Sequence, residues 1–194
     1  MSVAPTHPVV IDPHVYTGHG IKLRPVTLDD CTPHYVAWLN DRDVTRFLET
    51  RHSPQTLDTV KAFVASMIAS KDSHLLAIIE ASTGRHIGNV KLGPINPHHL
   101  YADISYFIGA KDCWRKGYGQ EAVKAATWYG FTKLKLMSIR AGAYQKNEGS
   151  IRLLKRVGFK ERGTFPFELC VSDESRDAHV MLSVTLPEWK SKLT

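Results

Sequence analysis

The run Trp114-Arg115-Lys116-Gly117-Tyr118-Gly119 constrains this chain more than any other stretch. It follows an apolar strand-like run, Tyr101 to Gly109 (YADISYFIG), and opens a helical pattern from Gly117 to Lys133 carried by Ala122, Val123, Ala126 and Phe131. A glycine-bearing turn between a strand and a helix can aim several backbone N–H groups at an anion, and the helix dipole adds favourable potential at the same place. Glycine at 117 and 119 removes side chains that would block close approach, and Arg115 and Lys116 add positive charge. A lone GxG also serves ordinary turns, so the spacing by itself leaves a structural role open. The dinucleotide fingerprint GxGxxG fails at Ala122, and the phosphate loop GxxxxGK[ST] is absent.

Around this turn the chain alternates strands and helices. Ile21 to Val26 reads as a strand, and Thr27 as the N-cap, with Asp30 three residues on, of a helix ending near Asn40-Asp41. A second helix is expected from Ser53-Pro54, with Val60, Phe63, Val64, Met67 and Ile68 on one apolar face. His74 to Glu80 and His86 to Leu92, joined by Ser82-Thr83-Gly84-Arg85, read as a hairpin. Met137 to Tyr144 is a strand, and Asn147 to Val157 a helix closed by Gly158. Phe159 to Phe167 and Asp177 to Leu186 are the last strands. The order β-α-α-β-β-β-α-β-α-β-β predicts one α+β domain with a mixed sheet over residues 20–194, preceded by an N-terminal arm, residues 1–19.

Bulk properties narrow the function classes. Apolar residues make up 43% of the 194 and charged ones 23%, enough to bury a core. No apolar run reaches the ~18–20 residues of a membrane helix, and the first twenty residues lack a secretory pattern. Cys31, Cys113 and Cys170 form neither a disulfide framework nor a metal motif, which fits a reducing cytoplasm and no metal. Cys113, beside the glycine turn, is either a reactive thiol or a small residue at a junction. The net charge of +6 suits polyanions, but Lys and Arg nowhere form a run of five, so nucleic acid gains little support. A nucleic-acid binder, with no catalysis, is carried as a competing class on that charge alone.

Trp114 to Ala122 resembles motif A of the GNAT acetyltransferases, whose consensus is [Q/R]-x-x-G-x-[G/A]. Asn147-Glu148-Gly149-Ser150 through Lys155-Arg156-Val157-Gly158-Phe159 is similar to that family's second signature, an Asn-headed helix ending in Gly-Phe. The ending from Arg176-Asp177-Ala178 to Glu188-Trp189 resembles the branch containing the Rim-type ribosomal-protein acetyltransferases. The resemblance covers roughly residues 20 to 190. It implies a splayed sheet of about seven strands flanked by about four helices, with acetyl-coenzyme A in the gap. The implied donor site is Tyr106, Phe107, Ile108 and Gly109 for the pantetheine arm, and Trp114, Arg115, Lys116, Gly117, Tyr118, Gly119 and Gln120 for the pyrophosphate. Asn147 and Ser150 complete it. Trp114 departs from the Gln or Arg that usually opens motif A.

The implied reaction is acetyl transfer to a primary amine by direct attack in a ternary complex. The Ile108 amide is the expected oxyanion donor. The tyrosine that many members use as general acid is replaced by Leu154, so another group or solvent must protonate the sulfur; Ser150 is either a hydrogen-bonding candidate on the sulfur side or a plain first-turn residue. Asp103 is the first candidate for the base, because a carboxylate in a mid-sheet strand is costly without a partner or a task. An ion pair is its other reading. Glu168, Glu80 and Glu49 follow, and His98 and His99 sit in a Pro-flanked loop. Trp38, Phe47 and Trp128 are candidates for a cleft or for the core. Ile87 to Asn96 resembles a stretch of members that acetylate amino sugars on nucleotide carriers, which makes such a sugar the expected acceptor. A protein N-terminus is the rival, with aminoglycosides or polyamines behind both, and a non-catalytic acyl-coenzyme A-binding module is the reading from another class. The partner is a small-molecule or peptide amine, and a homodimer is an open expectation.

Overall fold

The computed structural model describes residues 20–172 and 175–191; the expected N-terminal arm, residues 1–19, lies outside the described residues. The strands are β1 (Ile21–Pro25), β2 (His74–Glu80), β3 (His86–Leu92), β4 (Tyr101–Ile108), β5 (Ser138–Tyr144), β6 (Lys160–Ser172) and β7 (Ser175–Thr185). The helices are α1 (Pro33–Asn40), α2 (Arg42–Thr45), α3 (Leu57–Ala69), α4 (Tyr118–Thr132), α5 (Glu148–Val157) and α6 (Leu186–Lys190). The strands form one mixed sheet in the order β1-β2-β3-β4-β5-β7-β6, the architecture expected from the sequence. Among the described residues no helix is long and apolar enough to cross a membrane.

Two helix starts differ from expectation. Thr27 and Asp30 do form a capping box, but it closes a single 3-10 turn, Leu28–Asp30. Pro33 disfavours helical backbone at Thr32, which lies extended at φ −100° and ψ 163°. Thr32 then serves as the N-cap of α1 and its side chain accepts from the Tyr35 amide. Likewise Ser53-Pro54 starts no helix. The Asn40 side chain accepts from the Gln55 amide and donates to the Gln55 carbonyl, pinning residues 53–56 in extended form until Thr56 caps α3. The last hairpin also exceeds its predicted length. Pro166 did not end β6, because β6 is an edge strand, where a missing N–H costs little, and the ladder shifts register around it between Phe165 and Leu169.

Each face of the sheet has its own core. On one side α4 and α5 bury Ala122, Val123, Ala126, Tyr129 and Leu154 against Ile139, Ala141, Val180 and Leu182. On the other, α1 and α3 bury Tyr35, Leu39, Val60 and Val64 over Leu75. Phe63 and Ile68, expected on the buried face of α3, are exposed.

The feature that positions the site is where the sheet comes apart. β4 and β5 are parallel neighbours, and their register holds for only three pairs, Tyr101–Ser138, Ala102–Ile139 and Asp103–Arg140. Beyond Asp103, β4 stays with β3 as far as Ile108, while β5 continues with β7. The two strands therefore diverge at mid-sheet, which is the splay expected from the family resemblance.

Candidate functional site

The splay opens a cavity of about 630 Å³. Ile104 to Phe107 form one wall and Ala141 to Tyr144 the other, with Asn147 at the head of α5 and Ser150 and Leu154 within it beneath, and Tyr35, Phe47 and Phe63 above. In the antiparallel β3–β4 ladder the carbonyl of Asp103 accepts from Gly93, and Gly109 donates to Ile87. The pairing alternates, so the odd-numbered residues of β4 bond to β3. Tyr106 and Ile108 therefore turn their amides toward the opening.

The glycine turn stands at the end of β4. Arg115 has φ 62° and Gly117, the N-cap of α4, has φ 84°. No side chain caps α4, so its first amides are free to meet a ligand. A Cβ at Gly117 would enter open space, and one at Gly119 would make ordinary contact with Leu153. The protein's own packing therefore does not demand a glycine for room at either place, while a phosphate held against the helix end would fill that room. Arg115 and Lys116 are exposed beside it. Trp114 spends its indole on the fold: Nε1 donates to the Ile108 carbonyl at 2.8 Å, tying the turn to β4. The Tyr118 hydroxyl donates to Glu80 Oε1 at 3.2 Å and anchors the first turn of α4. These residues fit a coenzyme A pyrophosphate.

The remaining sequence candidates sort by position. Asn147 caps α5, its side chain accepting from the Ser150 amide. Ser150 Oγ lies 3.0 Å from Tyr106 Oη, and burial pushes the Tyr106 phenol up to about 12. Asp103 is not on the cavity wall. It makes a two-point ion pair with Arg140, so the structure corrects the reading of Asp103 as a base: both carboxylate oxygens are engaged at the root of the splay. Glu80 is buried away from the cavity, its pKa held down by hydrogen bonds from Thr83 and Tyr118. Glu49 does line the cavity and accepts from the Tyr144 hydroxyl at 2.7 Å. Glu168 bonds to His179. The amides of His98 and His99 bond to Asn96 in the loop, outside the cavity. Phe47 lines the cavity, whereas Trp38 and Trp128 pack against the cores. The Cys113 thiol is buried, which raises its pKa and gives it the structural role of the two.

The residues that sequence reading missed are Phe63, Gly142, Tyr144 and His179, all on the cavity wall. Only Gly142 carried a local signal, since glycine inside a strand marks close approach of another group.

The profile of the family described as "Acetyltransferase (GNAT) domain" matches residues 21–160. The chain belongs to the GNAT acetyltransferase family. This GNAT protein is 31% identical over 144 residues to the "Uncharacterized N-acetyltransferase YoaA" of Bacillus subtilis, covering 73% of this chain and 80% of the relative. It is 29% identical over 168 residues to the Escherichia coli spermidine N(1)-acetyltransferase, covering 84% of each. It is also 27% identical over 158 residues to the human alpha/beta-tubulin-N-acetyltransferase 9, covering 76% and 75%. The crystal structure of spermidine N-acetyltransferase from Vibrio cholerae in complex with CoA and spermine superposes with a TM-score of 0.79 at 20% identity. That match covers 88% of this chain and 98% of the other and shows the shared fold. The GNAT protein is thus an acetyl-coenzyme A-dependent N-acetyltransferase.

Proposed function

We propose that the acceptor is a compact alkyl amine bearing a second positive charge, of the spermidine type. The observation that carries this is the chemistry of the cavity. Phe47, Leu48, Phe63 and Leu169 make it apolar, and the Glu49 carboxylate stands on its wall. An alkyl chain is at home against such walls, and an ammonium finds its counter-charge at Glu49. A sugar nucleotide brings two phosphate charges that need cationic partners. Among the described lining residues, Lys91 and the imidazole of His179 are the only basic groups. The spermidine N(1)-acetyltransferase relative supports the same reading. The amino-sugar acceptor and a protein N-terminus, the latter favoured by the tubulin acetyltransferase relative, stand as rivals.

The donor sites are read as follows. The amides opening α4, with Arg115 and Lys116, hold the pyrophosphate, and β4 from Tyr106 to Gly109 pairs with the pantetheine arm. The Ile108 amide faces the thioester oxygen as it gains charge. Ser150, hydrogen-bonded to Tyr106, returns a proton to the departing sulfur, a task that Leu154 cannot perform.

A mass-spectrometric screen tests the acceptor, offering polyamines, UDP-amino sugars and peptides with free N-termini in parallel with acetyl-coenzyme A. Polyamines should be acetylated with the highest kcat/KM. Faster turnover of a sugar nucleotide or a peptide would overturn the reading.

A further inference from the structure

We propose that Arg51 is a positioning and specificity-determining residue for the acceptor: its guanidinium clasps the segment between α2 and α3 against the splayed sheet and fixes the Glu49 carboxylate in the cavity wall. This rests on the amine-acceptor reading above. The segment carries Phe47, Leu48, Glu49 and Thr50 into the cavity lining. Little regular structure holds it there, only a 3-10 turn, Glu49–His52, whose start no side chain caps. One end is fastened by the bonds between Asn40 and Gln55. The other fastening is Arg51.

Arg51 is half-buried and spends both Nη groups on the protein. Nη1 donates to the Arg46 carbonyl at 3.3 Å and to the Leu48 carbonyl at 3.2 Å, on either side of Phe47. The Arg51 amide bonds to the same Leu48 carbonyl, so the turn closes on itself. Nη2 reaches out of the turn to the sheet. It donates to Tyr144 Oη, at the end of β5, at 2.7 Å, and to the Cys170 carbonyl of β6. The guanidinium carbon lies 4.8 Å from the centre of the Tyr144 ring. A planar fork donates in all these directions at once, which a lysine ammonium cannot do. Arg51 therefore works through its neighbours rather than on the acceptor.

The link to specificity runs through one hydroxyl. Tyr144 Oη accepts from Arg51 and donates to Glu49 Oε1 at 2.7 Å. Hydrogen bonds in series polarise one another, so the cation at one end strengthens the donor to the carboxylate at the other. Oε1 is thereby held, and Oε2, with His52 3.6 Å away, is left to pair with the acceptor's second ammonium. The distance from the splay to Glu49 sets how long a chain can separate the reacting amine from that distal charge. Without the clasp the distance is no longer fixed.

Arg51→Lys keeps the charge and loses the fork. It should raise the KM for a triamine about tenfold, with kcat and the KM for acetyl-coenzyme A unchanged, and it should flatten the preference among alkyl diamines of increasing length. Tyr144→Phe should raise the same KM in the wild type but add little in Arg51→Lys, because both act through one hydroxyl. An unchanged triamine KM or length preference, equal weakening of acetyl-coenzyme A and acceptor, or effects of the two substitutions that simply add would overturn the proposal. If the wild type acetylates no amine at all, the acceptor reading fails on its own. The clasp is then judged by hydrogen–deuterium exchange. Arg51→Lys should speed exchange in residues 46–52 and leave α4 unchanged, and identical exchange in the two proteins would overturn it.

Discussion

Arg140 grips Asp103 through two hydrogen bonds, Nε to Oδ1 at 3.0 Å and Nη2 to Oδ2 at 3.1 Å, across the last paired rung of β4 and β5. The same guanidinium lies 3.8 Å from the centre of the Tyr101 ring. The pair therefore fastens the sheet at the point from which it opens. Both partners are partly exposed, with side-chain accessibilities of 38% and 45%, and such pairs contribute about 0–1 kcal/mol. Asp103→Asn should leave turnover within about threefold of wild type, far short of the ~10²–10⁴-fold cost of losing a general base. It should also lower the melting temperature slightly. Steady-state kinetics beside thermal denaturation check this, and a steep loss of kcat in an equally stable variant would return Asp103 to the role of base.

In the proposed reading, Ser150, hydrogen-bonded to Tyr106, protonates the departing sulfur. Because burial pushes the Tyr106 phenol up to about 12, it stays protonated throughout the working range and can donate to Ser150. Ser150→Ala should lower kcat about 10²-fold and change the KM for acetyl-coenzyme A little. Tyr106→Phe should give a smaller loss with no new alkaline limb in the pH profile. An unchanged kcat in Ser150→Ala would mean that solvent alone protonates the sulfur.

Gly117 is needed for its backbone. At φ 84° an L side chain costs roughly 1–2 kcal/mol, although nothing in the protein lies within 4 Å of the added Cβ. Gly117→Ala should raise the Kd for coenzyme A about tenfold, because the methyl group enters the space beside the uncapped end of α4. Calorimetric titration measures this directly. Equal affinity in both proteins would place the pyrophosphate elsewhere.

Glu188 carries a pH-dependent part of the stability. Arg162, then the Thr185 amide and Lys160, hold its carboxylate well below the usual range. A depressed carboxylate stabilises the fold above the pKa it has when unfolded, and that contribution fades as the pH falls through the folded value. Glu188→Gln should therefore melt several degrees lower at pH 7, with the gap to wild type narrowing steadily below about pH 4.5. Melting curves from pH 7 to pH 3 test it, and a gap independent of pH would assign the loss to packing of α6.

The parts legible in the sequence are those written locally. The glycine turn and the helix after it depend on residues within a few positions, so the local pattern shows them, while their meaning and the Asn147 head of the next helix are read from the family resemblance. What escaped was set by distant chain. Asn40 holds Gln55 extended and delays α3, a contact across fifteen positions that no cap signal reveals. Asp103 looked like a carboxylate in search of a task because its partner lies in another strand. The His179–Glu168 pair depends on the register of an edge hairpin containing Pro166, and on Gly142 one strand further in. Leu154, which stands where many members of the family carry a tyrosine, is buried in the core beneath the cavity.

Glu49 offers the most direct test of the acceptor's charge. Its carboxylate lines the cavity and is exposed, with Tyr144 donating to one oxygen and His52 3.6 Å from the other. An ammonium at the far end of a polyamine would be drawn to this carboxylate, whereas a neutral alkyl amine of equal length has nothing to offer it. Glu49→Gln removes the charge and keeps the shape. It should raise the KM for a triamine about five- to tenfold, which corresponds to roughly 1–1.4 kcal/mol. The KM for a monoamine of the same length and the KM for acetyl-coenzyme A should stay within twofold. The comparison is internal to one variant, so a general loss of folding cannot imitate it. Equal rises for both amines would show that Glu49 acts through Tyr144 and the shape of the cavity wall, and the acceptor would then be selected by its apolar body alone.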